Sequence, residues 1–185
     1  MTAAAFGAHM PANLTLTDLA AMSVADGYGH RYELSPEGVL SVMPPASVEH
    51  AILASRLLAW FLGHGWPPER VLQNCGLRIA TGDRVGGRVP DLTVWSTAPR
   101  SGAVWAPVTG LLVAIEIVSP GSAAIDQVIK KDEYALAGIP WYWIVGNEAG
   151  DPVTRYRLEA GAYQPVAPAQ PLAWLLNTTP DEFLG

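Results

Sequence analysis

The feature that most constrains the fold is one carboxylate within an apolar segment. Residues 111–118 read Leu-Leu-Val-Ala-Ile-Glu-Ile-Val, so Glu116 interrupts a run of strand length that is apolar at both alternating sets of positions. This pattern predicts a strand that is covered on both faces. An unpaired ionised carboxylate is costly in such a place. We therefore expect a compensating feature at Glu116, namely a bound cation, a basic side chain or a raised pKa.

The order of elements around this strand predicts an α/β fold with a single mixed β-sheet flanked by helices. Short alternating segments on either side of Ser35-Pro-Glu-Gly38 predict an N-terminal β-hairpin, and those around Glu159-Ala-Gly161 predict a C-terminal one. Further strands are expected at residues 70–80, 88–96 and 141–145. A polar, glycine-rich turn over residues 81–87 is expected to join the first two of these.

Two helices are expected to pack on the sheet. Ser47 is a typical N-cap residue for a helix over residues 48–63, which carries apolar side chains at helical spacing. A second helix is expected over residues 123–137. Its apolar residues predict the face that packs inward, and these are Ile125, Val128, Ile129 and Leu136.

The length of 185 residues, half of them hydrophobic, fits one domain with a substantial core. We expect residues 1–29 to form an N-terminal extension with a short helix and residues 30–185 to form the domain itself. The first residues lack the basic start and the apolar segment of a secretory signal, and the single cysteine, Cys75, has no partner for an internal disulfide. A cytoplasmic protein without membrane contact is the expectation, because no apolar run approaches the roughly 20 residues of a membrane span.

Several short motifs occur together from Tyr32 onward. They are Tyr32-Glu-Leu, Pro44-Pro45 followed by His50, Val89-Pro-Asp91, Ile115-Glu-Ile-Val-Ser-Pro120, Asp126 with Lys130 and Tyr134, and Ala137-Gly-Ile-Pro-Trp-Tyr-Trp-Ile-Val145. In combination they resemble the Uma-type restriction endonuclease family of the PD-(D/E)XK nuclease superfamily. The resemblance implies a restriction-endonuclease-like core and a metal-dependent endonuclease that hydrolyses phosphodiester bonds of DNA.

The resemblance also implies a set of site residues. Asp91, Glu116 and the backbone carbonyl of Ile117 would bind Mg²⁺ or Mn²⁺, and oxygen ligands of this kind suit hard cations. The superfamily usually has a lysine two positions after the glutamate, but that position is Val118 here. In the narrower family the lysine comes from the following helix, which indicates Lys130, with Lys131 as the alternative. Glu33 would be a further catalytic carboxylate.

Each of these residues also has an ordinary structural explanation. Asp91 follows Val-Pro and fits a turn or a strand end, and Glu116 could form a buried ion pair with an arginine. Lys130 and Asp126 have the spacing of a solvated pair within a helix. Glu33 fits an exposed position in the hairpin. His50, at the start of a helix, is more typical of capping or packing than of a catalytic base.

The net charge of −6 at pH 7 disfavours broad binding of nucleic acid. The main alternative to a nuclease is therefore a weakly active or inactive protein of the same fold that binds nucleic acid or protein. A metal-dependent hydrolase of another phosphate ester is a third hypothesis. The chain lacks the known nucleotide-binding motifs, so no nucleotide cofactor is expected. By analogy with double-strand cutters, a homodimer acting on DNA is expected.

Overall fold

The structure is a computed structural model that describes residues 14–118, 125–146 and 148–184. Its helices are α1 (Leu16–Ala25), α2 (Val48–Gly63), a π-helical turn at Ile125–Lys130 that continues into α3 (Lys131–Leu136), α4 (Leu172–Leu175) and α5 (Asp181–Leu184). The prediction for α2 is confirmed at both ends, and the Ser47 side chain accepts a hydrogen bond from the N–H of His50. Among the helices described, none combines the length and apolar character that crossing a bilayer requires.

The strands form two mixed sheets rather than the single sheet predicted from the sequence. One sheet has the order β2-β1-β5-β4-β7, and the other has the order β11-β10-β9-β8-β6-β3, with β12 paired to β10. In chain order the strands are β1 (Arg31–Leu34), β2 (Leu40–Met43), β3 (Val71–Gln73), β4 (Leu77–Thr81), β5 (Arg84–Arg88), β6 (Leu92–Trp95), β7 (Ala106–Pro107), β8 (Leu111–Ile117), β9 (Trp141–Val145), β10 (Pro152–Glu159), β11 (Ala162–Pro165) and β12 (Gln170–Pro171). Both predicted hairpins are confirmed, as β1–β2 and β10–β11.

The division into two sheets follows from the backbone at Asn74. The expected single strand over residues 70–80 is broken there, because Asn74 has a positive φ of 50°. This left-handed residue turns the chain, so that β3 pairs with β6 in one sheet and β4 pairs with β5 in the other. Local strand propensity carries no information about which partner each half takes.

The predicted glycine-rich turn over residues 81–87 is largely strand β5. The turn itself is short, because Thr81 already pairs with Arg84. At Gly86 of this strand, Leu34 of β1 passes so close that an added Cβ would lie 2.5 Å from the carbonyl oxygen of Leu34. The glycine therefore permits close backbone approach, which sequence alone did not distinguish from a turn.

The central sheet of β11-β10-β9-β8-β6-β3 is covered on both faces, as expected for the apolar strand at 111–118. The inward positions of α2 pack against one face of this sheet, where Val113 and Ile115 of β8 are fully buried. The opposite face meets β4 and α3, and its buried residues include Ala114 and Val118. Because side chains alternate along a strand, Glu116 of β8 points to this second face, into the layer between the two sheets.

The helix after β8 turns a different side inward from the one predicted. Val128, Ile129 and Leu136 are 59%, 47% and 69% exposed, so the predicted apolar inward face is wrong. Four polar residues are buried instead, namely Asp126, Lys130, Glu133 and Tyr134. Their burial is tolerated because they pair with charged groups between the sheets, as described below. The expected start at residue 123 and the side chain of Ile125 lie outside the described residues.

Candidate active site

Asp91 lies at the N-terminal end of β6, where the two sheets meet. The strand register pairs Leu92 with Ile115, which brings Asp91 beside Glu116 at the next position of β6 and β8. The N–H of Ile117 donates a hydrogen bond of 2.8 Å to Asp91 Oδ2. The sequence Val89-Pro-Asp91 thus leads directly into β6, and the Asp91 carboxylate points toward β8.

Two basic side chains hold the Asp91 carboxylate. Arg31 Nη1 lies 2.6 Å from Oδ1, and His50 Nε2 lies 3.0 Å from Oδ2. Burial alone would raise the pKa of Asp91, but the hydrogen bond from His50 and the charge of Arg31 outweigh it and lower the pKa below its usual value. Asp91 is therefore ionised at neutral pH.

Glu116 is buried with two donors on the same oxygen. Lys130 Nζ lies 3.0 Å from Glu116 Oε1, and the Tyr134 hydroxyl donates a hydrogen bond of 2.8 Å to that oxygen. Burial raises the pKa of Glu116 well above its usual value of 4.5, and although Lys130 opposes the shift, the nearby carboxylates reinforce it. Glu116 therefore favours additional positive charge in its surroundings.

Lys130 is surrounded by three carboxylates. Its Nζ also lies 3.1 Å from Glu33 Oε1 and 3.2 Å from Asp126 Oδ1. Burial alone would lower the pKa of Lys130, but the charges of Glu116, Glu33 and Asp126 outweigh it and raise the pKa above its usual value. Lys130 is consequently an ammonium at neutral pH, and it acts as a positive charge and a hydrogen-bond donor.

Glu33 is completely buried, so the sequence-based possibility of an exposed hairpin residue is wrong. The N–H of Val89 donates to Glu33 Oε1 at 2.9 Å, and Arg88 Nη1 donates to Glu33 Oε2 at 3.1 Å. Arg88 also forms two hydrogen bonds of 2.6 Å with the Glu133 carboxylate. This bidentate pair connects α3 to β5. It also holds the Arg88 guanidinium at Glu33 Oε2, whereas Lys130 contacts the other oxygen, Oε1.

The described part of this cluster carries an excess of negative charge. Five carboxylates (Glu33, Asp91, Glu116, Asp126 and Glu133) face three permanently basic groups (Arg31, Arg88 and Lys130), all linked by the ion pairs above. With all five carboxylates ionised and His50 neutral, five less three leaves two uncompensated negative charges. An excess of this size in a buried site is the amount that one divalent cation neutralises.

The donor atoms fit a hard divalent cation. Asp91, Glu116 and the carbonyl of Ile117 offer oxygen from two adjacent strands, which is the preference of Mg²⁺ and Mn²⁺. Over residues 14–118, 125–146 and 148–184, no three Asp, Glu, His or Cys side chains are grouped so as to hold a metal ion. Within these ranges the protein thus offers two carboxylates and a carbonyl, which leaves ligand positions for water and substrate.

The structure brings most of the sequence-predicted residues into this one cluster. Asp91, Glu116, Lys130, Glu33 and the backbone of Ile117 lie together, and His50 and Asp126 contact them. Lys131 lies elsewhere, with its Nζ 3.9 Å from the centre of the Tyr156 ring. The arginine proposed as an ion-pair partner of Glu116 is replaced by Lys130, whereas Arg31 pairs with Asp91.

Sequence reasoning missed Arg31, Arg88 and Glu133. Arg31 had a usable signal, because it lies two residues before Glu33 and side chains two apart share a face of a strand. Arg88 and Glu133 are 45 residues apart and meet only through the tertiary fold. No pattern in the sequence indicates that the side chains of Arg88 and Glu133 are buried.

Comparison with protein families matches residues 16–183 to the Uma2 family model, described as "Putative restriction endonuclease". Among solved structures, the chain is similar to "a putative nuclease belonging to DUF820" from Anabaena variabilis ATCC 29413, with a TM-score of 0.53 and 20% identity over 73% of this chain and 75% of that chain. This similarity supports the α/β architecture. No curated protein matches the chain.

Proposed function

Because the chain belongs to the Uma2 family, we propose that it is a metal-dependent endonuclease that hydrolyses phosphodiester bonds of DNA. One observation carries the proposal. Asp91 and Glu116 are buried on adjacent strands, and the Lys130 ammonium lies 3.0 Å from Glu116. Two buried carboxylates on adjacent strands, one of them in contact with a lysine, supply the groups that phosphodiester hydrolysis needs: oxygen ligands for a cation and a fixed positive charge for the phosphate.

Asp91, Glu116 and the carbonyl of Ile117 would hold Mg²⁺ or Mn²⁺. When bound, such a cation supplies a water of lowered pKa and positive charge for the phosphate oxygens. His50 and Arg31 lower the pKa of Asp91 and so keep its carboxylate ionised. The Tyr134 hydroxyl fixes the rotamer of Glu116 by donating to Oε1.

Lys130 has the position and the charge to stabilise the transition state. Because its pKa is raised by three carboxylates, it carries a proton and donates hydrogen bonds to negative oxygen. It is therefore suited to the charge that grows on the phosphate, and not to removing a proton from water.

Glu33 is a positioning residue in this mechanism. Its two oxygens are engaged by Lys130, Arg88 and the N–H of Val89, so that it helps to hold the Lys130 ammonium beside Glu116. Asp126 contributes a third acceptor for the same ammonium, at 3.2 Å.

The experiment that tests this function is cleavage of supercoiled plasmid DNA in Mg²⁺ or Mn²⁺, with a chelator as the metal-free control. Asp91→Asn and Glu116→Gln should each lower the cleavage rate roughly a hundredfold or more, as loss of a transition-state contact does. Asp132→Asn is a matched control. Asp132 is exposed on α3, two residues after Lys130, and lies outside the cluster. Equal rates in all four proteins would reject the assignment.

A second candidate is a protein of the same fold that binds nucleic acid or protein without cutting. The favouring observation is that both oxygens of Asp91 are already engaged by Arg31 and His50. Titration with Mn²⁺ distinguishes the two candidates, because the binding module predicts no binding that depends on Asp91 and Glu116. A homodimer would place two such sites on opposite strands of a duplex, and sedimentation measurements test that arrangement.

A further inference from the structure

Arg31 occupies an unusual position at the edge of the carboxylate cluster. It is the first residue of β1, yet its side chain crosses from that sheet to Asp91 of the central sheet. The Arg31 side chain is 25% exposed, whereas that of Asp91 is 3% exposed. Arg31 is thus the most exposed basic residue of the cluster, since the side chains of His50, Arg88 and Lys130 are 13%, 2% and 3% exposed.

Two acceptors hold Arg31 in place. Its Nη1 donates to Asp91 Oδ1 at 2.6 Å and to Asn74 Oδ1 at 2.8 Å. Asn74 presents that carboxamide from a left-handed backbone conformation with φ 50°, and its own N–H donates to the carbonyl of Asp91. The turn that separates the two sheets therefore also supplies a second acceptor for the guanidinium.

The charge of Arg31 conflicts with a divalent cation on Asp91. Oδ2 is taken by His50 and the N–H of Ile117, which leaves Oδ1, the oxygen that Arg31 occupies. Two cations on one buried oxygen repel each other strongly because the surrounding dielectric is low. Arginine does not lose its proton in proteins, so this charge can only be removed by movement of the side chain.

We propose that Arg31 is an exchangeable counter-cation: it neutralises Asp91 in the metal-free protein, yields Oδ1 to a divalent cation, and then binds a backbone phosphate of the DNA. The inference rests on the proposed nuclease function, since that function supplies both the cation and the phosphate. A guanidinium that has left a carboxylate is well suited to phosphate, whose oxygens accept the same paired hydrogen bonds. Arg31 would thereby link occupation of the metal site to retention of the substrate.

The test measures two affinities that should change in opposite directions. In calorimetric titration of the full chain with Mn²⁺ and no DNA, Arg31→Ala should tighten binding about tenfold or more, because a competing positive charge is removed. Arg31→Lys should stay near wild type, since the charge remains. Arg84→Ala is the matched control, because Arg84 pairs with Glu37 on the exposed surface.

The second measurement is fluorescence anisotropy of a short labelled DNA duplex in Ca²⁺. Here Arg31→Ala should weaken binding roughly tenfold, the usual effect of losing a hydrogen bond to a charged group. Asn74→Gly guards against a folding artefact, because glycine accepts the positive φ and removes only one acceptor of Arg31. It should tighten Mn²⁺ binding by a smaller factor and leave DNA binding near wild type.

The outcomes separate this inference from the function on which it rests. If Mn²⁺ binds the wild type in an Asp91-dependent manner but no more tightly to Arg31→Ala, the exchange is overturned and the metal site stands. If Arg31→Ala tightens Mn²⁺ binding without weakening DNA binding, the transfer to phosphate is overturned. If Mn²⁺ binds neither protein, both the inference and the metal site of the proposed function are overturned.

Discussion

The ammonium of Lys130 lies 3.0 Å from Glu116 Oε1, although the two residues are 14 positions apart in the chain. The strand position two after Glu116 is Val118, which is buried in the layer between the sheets. A π-helical turn over Ile125–Lys130 brings the lysine to the carboxylate instead, and such turns are frequent at functional sites. A positive charge can therefore be supplied from a neighbouring helix while the strand keeps an apolar side chain.

Replacing this lysine should cost both stability and activity. Lys130→Met leaves Glu33, Glu116 and Asp126 without their shared cation, and breaking a buried ion pair by removing one partner costs about 3–5 kcal/mol. We expect a loss of that size in the free energy of unfolding, measured by urea denaturation, together with loss of DNA cleavage.

Lys131→Met is the matched control for that substitution. Lys131 adjoins Lys130 in sequence but lies over the Tyr156 ring, and a half-buried contact of this kind is worth about 0.5–2 kcal/mol. Equal losses in the two variants would contradict the central role of the Lys130 ion pairs. Adding Glu116→Gln to Lys130→Met should recover part of the lost stability, because one uncompensated carboxylate is then removed.

Local signals in the sequence were sufficient for some elements and insufficient for others. Helix α2 was predictable because its N-cap residue, Ser47, and its apolar spacing are both local features of the sequence. The separation into two sheets depends on Asn74 and on strand partners distant in sequence, and the orientation of α3 depends on charges that come from other strands. Periodicity shows which residues share a face of a helix. It does not show that the polar face is the buried one, as in α3, where the polar side chains find charged partners on other elements.

The candidate site shows the same limit. Asp91, Glu116 and Lys130 were identified from motifs that resemble a family, and the structure brings them together. Arg31 and Arg88 were not identified, because a basic residue in a strand looks the same whether it is solvated or paired with a distant carboxylate. The basic residues of the cluster were thus harder to predict than the acidic ones.

The bidentate pair of Arg88 and Glu133 should be sensitive even to a substitution that keeps the charge. Arg88→Lys loses the fork that makes two 2.6 Å hydrogen bonds to Glu133 and one to Glu33. We expect a loss of about 2–3 kcal/mol in the free energy of unfolding, as for lost hydrogen bonds between charged groups. Chemical denaturation measures the change.

Arg84→Lys provides the comparison within the same strand. Arg84 and Glu37 form a pair of 3.5 Å whose side chains are 65% and 51% exposed, and exposed pairs contribute at most about 1 kcal/mol. Its stability should be within about 0.5 kcal/mol of wild type. Similar losses of stability in Arg88→Lys and Arg84→Lys would contradict the prediction. They would show that the hydrogen bonds of the buried Arg88 guanidinium contribute no more than those of an exposed arginine.

The close contact of β5 with β1 can be tested through Gly86. An alanine Cβ there would lie 2.5 Å from the carbonyl oxygen of Leu34 and 2.7 Å from the nitrogen of Pro36. Both obstructing atoms are backbone, so that the strand holding Glu33 must shift. Gly86→Ala should lower stability by about 1–3 kcal/mol and should also reduce DNA cleavage.

Gly63→Ala is the opposite case. Gly63 ends α2, and among the described residues no atom other than those of its chain neighbours and of the helix backbone lies within 4 Å of an added Cβ. The higher helix propensity of alanine should therefore raise stability by up to about 1 kcal/mol. Thermal unfolding of both glycine variants gives the comparison. A neutral Gly86→Ala would indicate that the β1–β5 contact is looser than the structure shows.

The protein should lose stability at alkaline pH because buried tyrosines, among them Tyr134, Tyr142 and Tyr163, resist ionisation. Burial raises the pKa of Tyr134, Tyr142 and Tyr163 above the usual value of 10.0, and negative charge on Glu116 adds to the shift for the first two. In the unfolded chain these groups titrate near pH 10. Their contribution to stability is therefore fully present below pH 10 and is lost progressively as the pH rises above it, toward the folded pKa values.

Tyrosinate absorbance and urea denaturation across this alkaline range test the pH dependence together. The absorbance of the buried tyrosines should rise only as the protein unfolds, and the free energy of unfolding should fall with increasing pH. Tyr163→Phe should cost about 1 kcal/mol at neutral pH for its lost hydrogen bond to the carbonyl of Ile139. It should nevertheless make the alkaline decline in stability shallower, because the folded state then retains one tyrosine proton fewer. Ionisation of all six tyrosines near pH 10 in the folded protein would contradict the burial that defines the layer between the two sheets.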